Sequence, residues 1–515
     1  MRTAATPDTL VDALPARIGA IVRANAAATP AAPALREAGQ VLSYAQLAAL
    51  IEQHAQLLRE LDVRGGDRVM VVAENCIDQV ALIFAITDID AWVVNVNARL
   101  SGAEIDNIVQ HSGARRVLYL AATSPDAKAH AERAGAAARG ALYAGALNEA
   151  CLAEPVEPDN SQVAALIYTT GTTGHPKGVM LTHRNLLFIA TVSSTLRGLT
   201  PGDRAYGVLP ISHVYGLASV MLGTLCAGAC LVLAPRFSAK AMLAAIADDG
   251  LTILQGVPAM YARMLELAGG PLPSRLRFLY AGGSPLDPVL KQQVERVFGM
   301  PLHNGYGMTE SSPTISQTRL DSPRADTSVG TVIPGVAIRI VDAGGVDVAA
   351  GEAGELWVRG PNVMKGYYRE PALTAAAMRA GDDGRHWLNT GDMARQDPDG
   401  ALFIVGRTKE LIIRSGFNVY PLEVETVLNA HPGVAQSAVV GRPAAGGNEE
   451  VVAFVEAAPA HAASIEELRS YLATRLSPYK CPSRIVIMAA LPAAATGKIL
   501  KGRLKALASE LEDAP

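Results

Sequence analysis

Between Tyr168 and Gly178 the chain reads YTTGTTGHPKG, four threonines and three glycines closing on one lysine. These residue types suit an anion. Glycines let backbone N–H groups approach an oxyanion, the hydroxyls of Thr169, Thr170, Thr172 and Thr173 add donors, and Lys177 adds a point charge that can bridge phosphate oxygens. Gly171, Gly174, Lys177 and Gly178 do not have Walker spacing, in which Lys and then Ser/Thr follow directly on the second glycine, so a P-loop NTPase is excluded. Taken alone, such a turn is as compatible with an ordinary surface loop as with a phosphate site.

Further strings offer matching chemistry: LPISHVYG around His213, YAGGSPL at 280–286, GYGMTE at 305–310, NTGDMA at 389–394, GRTKELIIRSGFNVYPLEVE from Gly406, and AATGKILKGRL around Lys498. Singly, each has a plain account. Tyr306 suits a core, Asp392 a turn after Gly391, and Lys498 a solvated surface beside Lys501 and Lys505. Jointly, and in this order, they resemble the adenylate-forming superfamily of acyl-CoA synthetases, firefly-type luciferases and peptide-synthetase adenylation domains. The resemblance covers nearly the whole chain.

The resemblance implies a role for each matching residue. Thr169, Thr170, Gly171, Thr172, Thr173, Gly174 and Lys177 would hold the ATP phosphates, with Thr170 keeping the hydroxyl of the family's usual serine. Asn304, Gly305, Tyr306, Gly307, Met308 and Thr309 would form the nucleotide site, Tyr306 lying against adenine, Thr309 near phosphate and Glu310 holding Mg²⁺. Asp392 and Arg407 would meet the ribose hydroxyls, and Lys498 would be the catalytic lysine. Gly282, Gly283 and Ser284 would border both nucleotide and acyl group. His213, Val214, Tyr215, Val257, Gly282, Gly283, Met308 and Ser312 would line the acyl pocket, His213 gating the carboxylate, although Ser212 replaces the aromatic residue usual before it. Lys409 matches a hinge position, and Arg414 and Gly416 the path of the pantetheine arm.

The implied chemistry answers a definite difficulty. A carboxylate repels nucleophiles and has no good leaving group, so an oxygen of the acid attacks the α-phosphorus of ATP, and a thiol then displaces AMP from the acyl adenylate. Lys177, Glu310 with Mg²⁺, and Lys498 would stabilise the charge gathered in the first step. Gly307, where acetate-type relatives have a Trp nearby, and the uncharged Val214, Tyr215, Val257, Met308 and Ser312 favour a larger, mainly apolar acid, medium- or long-chain fatty or aryl, over a dicarboxylate. Without an Asp near His213 or a phosphopantetheine serine motif, coenzyme A is the expected acceptor. Two alternatives stand beside this reading: a free-standing ligase that loads a carrier protein, and a catalytically silent nucleotide- or acyl-binding protein.

Elements must position these residues. Strand-length apolar runs (RVMVVAE, AWVVNV, RRVLYLA, AALIYTT, ACLVLA, LTILQG, LRFLYAGG) alternate with helical patterns, which predicts an α/β fold with parallel strands buried on both faces. AALIY reads as a strand and THRNLLFIATVSSTL as a helix capped by Thr182, with Thr169 to Gly178 as the turn between them. Asp287, Pro288 and a stripe of Leu290, Val294, Val297 and Phe298 before Gly299 predict another helix. The Ala-rich segment from Ala127 to Ala146 reads as a solvated helix. From about Val329, short runs broken by Gly and Asp predict antiparallel β structure, and beyond GRTKE a compact α+β unit begins, with Ser464 and Glu467 spaced as a capping box. The expected organisation is a large N-terminal domain of parallel and mixed sheets with a β-rich subdomain over 1–406, a hinge at 407–410, and a small mobile α+β domain over 411–515.

At 515 residues, 50% of them hydrophobic, the chain supports more than one core. A formal charge of -4 offers no electrostatic footprint for nucleic acid. Five scattered cysteines fit a reducing compartment, and Cys226 and Cys230, in an apolar setting, read as small buried hydrophobes. The N-terminal segment has acids and prolines where an export signal needs an apolar core, so a cytoplasmic location is expected. The uncharged run from Val214 to Ala234 could reach across a bilayer, but its glycines and its change of composition near Gly228 favour a buried helix followed by a strand. The expected partners are a small carboxylic acid and coenzyme A, with a homodimer as a further expectation.

Overall fold

The computed structural model describes residues 13–170, 176–268, 270–272, 274–381, 384–414, 417–444, 448–458, 463–493 and 499–511. Among these, two large sheets carry the architecture. One has eight strands in the order Gly366–Tyr367, Pro176–Thr182, Val163–Thr170, Trp92–Asn97, Arg68–Ala73, Arg116–Tyr119, Leu142–Ala144 and Ala137–Arg139. The other has nine, in the order Thr331–Val332, Thr314–Gln317, Leu302–Gly307, Phe278–Ala281, Ile253–Gly256, Arg204–Gly207, Cys230–Leu233, Pro33–Glu37 and Gln40–Ser43. The apolar runs form the parallel strands of both, Arg68–Ala73 being buried at every position. One apolar cluster joins Val69 and Val71 of the first sheet to Leu231 and Ile253 of the second through the helices Ile77–Asp88 and His183–Leu196. Burial of those helices on most sides explains why they lack a polar stripe.

A smaller antiparallel sheet follows, Ala337–Val341, Gly354–Arg359, His386–Gln396 and Met378–Ala380, with Leu402–Arg407 paired on His386–Gln396. The C-terminal unit packs the strands Val434–Pro443, Glu449–Ala457 and Arg484–Met488 against the helices Pro421–Asn429, Ile465–Ala473 and Lys501–Glu510, with apolar clusters of its own. The class is therefore mixed α/β with a smaller C-terminal domain, as the sequence implied. Asp287 caps Pro288–Phe298 by accepting from the N–H groups of Val289 and Leu290, and Ser464 and Glu467 form their capping box. The uncharged run is a wide-turned (π) helical segment, Tyr215–Leu222, continued by Gly223–Cys226 and then the strand Cys230–Leu233, and no helix among the described residues is long and apolar enough to cross a membrane.

Two expectations need correction. Thr182 does cap the helix His183–Leu196, but the preceding segment is not a turn that leads directly into it: Pro176–Thr182 is a strand folded back on Val163–Thr170, with Thr169 opposite Lys177. Val179 and Leu181 are buried two positions apart, the period of a strand, and this pairing carries Lys177 away from the helix N-terminus. Residues 171–175, which join the two strands, lie outside the described residues. The Ala-rich segment is helical only over Pro125–Arg133. Gly135 and Gly140, at φ values of 60° and 63°, then turn it into a small hairpin, Ala137–Arg139 with Leu142–Ala144.

Candidate active site

The hairpin Val163–Thr170/Pro176–Thr182 brings Lys177 beside the strand Gly366–Tyr367. Lys177 Nζ stands 5.4 Å from the centre of the Tyr367 ring. Tyr367 in turn donates its hydroxyl to Glu310 Oε1 at 2.8 Å. Glu310 is in a single helical turn, Thr309–Ser311, and its main-chain oxygen accepts from Met364 N–H at 2.9 Å. Burial and the adjacent Glu310 carboxylate raise the Tyr367 pKa, so the phenol stays protonated and donates. Lys177 and Glu310, 133 positions apart, thus meet through Tyr367, a residue without a local sequence signal.

A second group assembles at the end of the strand Leu302–Gly307. Tyr306 donates its hydroxyl to Asp392 Oδ2, and Arg407 Nε lies 3.2 Å from Asp392 Oδ1. Burial, and then the Asp392 charge, push the Tyr306 pKa far up. Asp392 follows Gly391, whose φ of 69° turns the strand His386–Gln396 so that Asp392 and Arg407 face each other in neighbouring strands. Asn304 is committed to its surroundings: its amide nitrogen donates to the carbonyls of Thr327 and Ser328, and its Oδ1 accepts from Gly305 N–H. Gly307 has no room for a side chain, since a Cβ there would lie 1.4 Å from the Pro313 carbonyl oxygen.

Part of the candidate acyl set comes together around Gly282. His213 is exposed, and its Nδ1 accepts from Tyr215 N–H at 3.2 Å, which assigns the ring proton to Nε2. Tyr215 is buried and stands edge-on to Tyr280, with ring centres 6.2 Å apart. A Cβ on Gly282 would touch both rings, at 3.2 and 3.3 Å, and one on Gly305 would lie 1.8 Å from Tyr280 Oη. Gly283, exposed at a φ of 83°, has Val257 as its neighbour, and Ser284 is exposed beside it. Val214 and Ser312 are fully buried, Ser312 at a φ of 65°, while Met308 is half-buried. Tyr215 and Tyr280 occupy the space beside Gly282, and Tyr280 that beside Gly305.

Thr408–Glu410 is a single turn between Leu402–Arg407 and Ile412–Arg414, with Lys409 exposed. Lys501 bridges Glu410 and Glu425, each at 2.8 Å, and so ties this turn to the C-terminal unit. Arg414 donates to the carbonyls of Tyr479 and Cys481. Of the predicted site residues, Gly171, Thr172, Thr173, Gly174, Gly416 and Lys498 lie outside the described residues, as does the side chain of Thr170. Thr169 is half-buried in its strand.

Residues 22–368 match the AMP-binding enzyme family and residues 423–498 the AMP-binding enzyme C-terminal domain, and the chain belongs to that family. It is similar to the feruloyl-CoA synthase of Amycolatopsis sp, at 35% identity over 490 residues that span 93% of this chain and 96% of that relative. Its structure is similar to ATP-bound MatB from Rhodopseudomonas palustris, with a TM-score of 0.85, 29% identity and coverage of 96% and 99% of the two chains. It is also similar to the o-succinylbenzoate CoA synthetase MenE of Bacillus subtilis in complex with its acyl-adenylate intermediate, with a TM-score of 0.82, 30% identity and coverage of 96% and 98%. The activity is that of an AMP-forming acid–CoA ligase: a small carboxylic acid, ATP and coenzyme A are its substrates.

Proposed function

We propose that the chain activates an aryl carboxylic acid, with His213, Tyr215, Val257, Gly282, Gly283, Met308 and Ser312 around the acyl group. The observation that carries this reading is the pair of rings at Gly282 and Gly305. A long acyl chain needs a tunnel past these glycines, whereas Tyr215 and Tyr280 leave a floor bounded by aromatic faces, suited to a flat ring. The fatty-acid alternative is the less favoured on this ground. A relative that takes a feruloyl group supports the same choice.

In the first half-reaction the acid's carboxylate oxygen bonds to the α-phosphorus and pyrophosphate leaves; in the second the thiol of coenzyme A bonds to the acyl carbon and AMP leaves. Lys177 and Lys498 are the cations assigned to the phosphoryl charge, and Thr309 and the threonines of the hairpin are the hydroxyl donors. Tyr306 carries the adenine, and Asp392 with Arg407 the ribose. For Mg²⁺ the donor is Glu310: one of its oxygens takes the Tyr367 hydroxyl, and no cluster of three metal-ligating side chains occurs among the described residues. That fits an ion held by one carboxylate and the substrate's phosphates, where it would neutralise phosphate charge. Lys409 is assigned to a hinge about which the C-terminal unit turns between half-reactions, with Arg414 and Gly416 on the coenzyme A path.

The test is pyrophosphate release from ATP with a panel of aryl and fatty acids, with and without coenzyme A. Release and thioester formation should be greatest with aryl acids. A higher kcat/KM for long-chain acids would overturn the aryl assignment, and acid-dependent release without thioester would overturn coenzyme A as acceptor.

A further inference from the structure

The loop that leads to His213 is held from the opposite sheet by two asparagines. The strand Arg204–Gly207 ends where the chain leaves the nine-stranded sheet, and His213 follows six positions later. Asn75, just beyond the strand Arg68–Ala73 of the eight-stranded sheet, reaches across to this loop. Its Nδ2 donates to the carbonyls of Gly207 and Leu209 at 3.0 and 2.9 Å, and its Oδ1 accepts from Ile211 N–H at 2.9 Å. Asn95, within Trp92–Asn97 of the same sheet, donates from Nδ2 to the Ile211 carbonyl at 2.7 Å, and its Oδ1 accepts from Gln79 Nε2 at 3.0 Å. Asn75, Asn95 and Gln79 are all buried. The main-chain partners fix the orientation of both asparagine amides, because a carbonyl can only accept and an N–H can only donate.

Buried main-chain groups need partners, and that need alone accounts for a polar side chain beside this loop. It does not account for the place. The N–H and the carbonyl of Ile211, two positions before His213, are both bonded to side chains of the other sheet. From Ile211 onward the backbone has little freedom: His213 N–H donates to the Pro210 carbonyl at 2.9 Å, the His213 carbonyl accepts from Leu217 N–H at 3.0 Å, and a Cβ on Gly216 would lie 2.2 Å from the Pro210 oxygen. The strand that anchors Ile211 has a second neighbour. Trp92–Asn97 pairs with Val163–Thr170, Val94 opposite Leu166, and Val163–Thr170 pairs in turn with the strand that carries Lys177. One strand is thus bonded both to the loop of the histidine assigned to the acid and to the hairpin assigned to the phosphates.

We infer that Asn75 and Asn95 are positioning residues that hold His213 in register with the phosphate hairpin, so that the acid's carboxylate is aligned with the α-phosphorus. The inference rests on the reading of His213 as the residue that meets the carboxylate. Buried as they are, both asparagines act through the loop 207–213 and not by contact with a substrate. Alignment of two reacting groups is steeply sensitive to displacement, a shift of about 1 Å costing roughly 10²-fold in rate.

The experiment is a double-mutant cycle between Asn95→Leu and His213→Ala, read as kcat/KM for the best acid of the panel in pyrophosphate release. Asn95→Leu alone should lower kcat/KM by roughly 10²-fold, while the Kd for ATP measured without acid stays within about twofold and a supplied acyl adenylate is still converted to thioester. In the His213→Ala background the same substitution should cost about twofold or less, because the group it positions is gone. A full, additive loss in that background, or an equal loss in ATP binding and in both half-reactions, would overturn the inference and leave Asn95 a structural residue. So would an Asn95→Leu enzyme with unchanged kcat/KM. Gln79→Met leaves Asn95 in place and removes only the bond that orients its amide, and it supplies the same cycle where Asn95→Leu does not fold. A loss confined to the enzyme that retains His213 supports the inference, and no loss or an additive one overturns it. A His213→Ala enzyme with unaltered kcat/KM for the acid would instead contradict the reading of His213 itself, and the inference with it.

Discussion

Replacing Tyr367 by Phe removes one oxygen and should impair catalysis far more than folding. The hydroxyl donates to Glu310 Oε1 at 2.8 Å, and both residues are only 9% exposed, so solvent cannot easily replace the bond. A hydrogen bond to a charged group is worth about 1.5–3 kcal/mol, which corresponds to roughly 10- to 150-fold in rate if it is needed in the transition state. The Phe ring would still lie under Lys177, and the main-chain N–H of residue 367 would still donate to Thr374 Oγ1, so thermal unfolding should shift by only a few degrees. Pyrophosphate release, measured against both ATP and Mg²⁺ concentration, should show kcat/KM for ATP reduced by that factor and a higher half-saturating Mg²⁺ concentration. An enzyme that melts lower but keeps kcat/KM and its Mg²⁺ dependence within twofold would refute the reasoning and leave Tyr367 as packing alone.

Other expectations concern different parts of the structure. Gly307→Ala places a Cβ 1.4 Å from the Pro313 main-chain oxygen, which cannot move aside as a side chain would, so a loss of about 2–4 kcal/mol is expected in chemical unfolding; wild-type stability would contradict it. His183 is buried with a pKa lowered from 6.5 to about 3, chiefly by desolvation and then by Arg17, and its Nδ1 accepts from Ile18 N–H. Because the folded pKa lies below the unfolded one, the unfolded chain takes the proton first, and stability falls as pH drops from 6.5 towards about 3. At about pH 5 the loss is roughly 2 kcal/mol relative to neutral pH, and His183→Gln should remove most of that slope in urea unfolding. Lys498→Ala should lower adenylation by about 10²- to 10³-fold yet still convert a supplied acyl adenylate to thioester, and equal loss of both half-reactions would contradict its assignment.

The fold was legible wherever one segment's own pattern decides its structure. RVMVVA and CLVL are apolar enough to need burial on both faces, and Asp287 with Pro288 specifies a helix start from within five residues. PKGVMLT ends in a helix cap at Thr182, and its pairing with Val163–Thr170 depends on a partner strand rather than on composition. Glu310, Asp392 and Arg407 stand in strings that carry the resemblance. Tyr367 and Arg197 do not: Tyr367 reaches Glu310 across 57 positions and Arg197 reaches Gln255 across 58, so only the folded chain makes them neighbours.

The proposed function turns on attack of the acid's own oxygen on the α-phosphorus of ATP. The direct measurement uses the best acid of the panel with its carboxylate labelled with heavy oxygen, turned over with ATP and coenzyme A, and mass analysis of the nucleotide and phosphate products. One labelled oxygen should appear in AMP for each thioester formed, with none in pyrophosphate. Label in inorganic phosphate, or thioester formed while AMP stays unlabelled, would contradict the acyl-adenylate route.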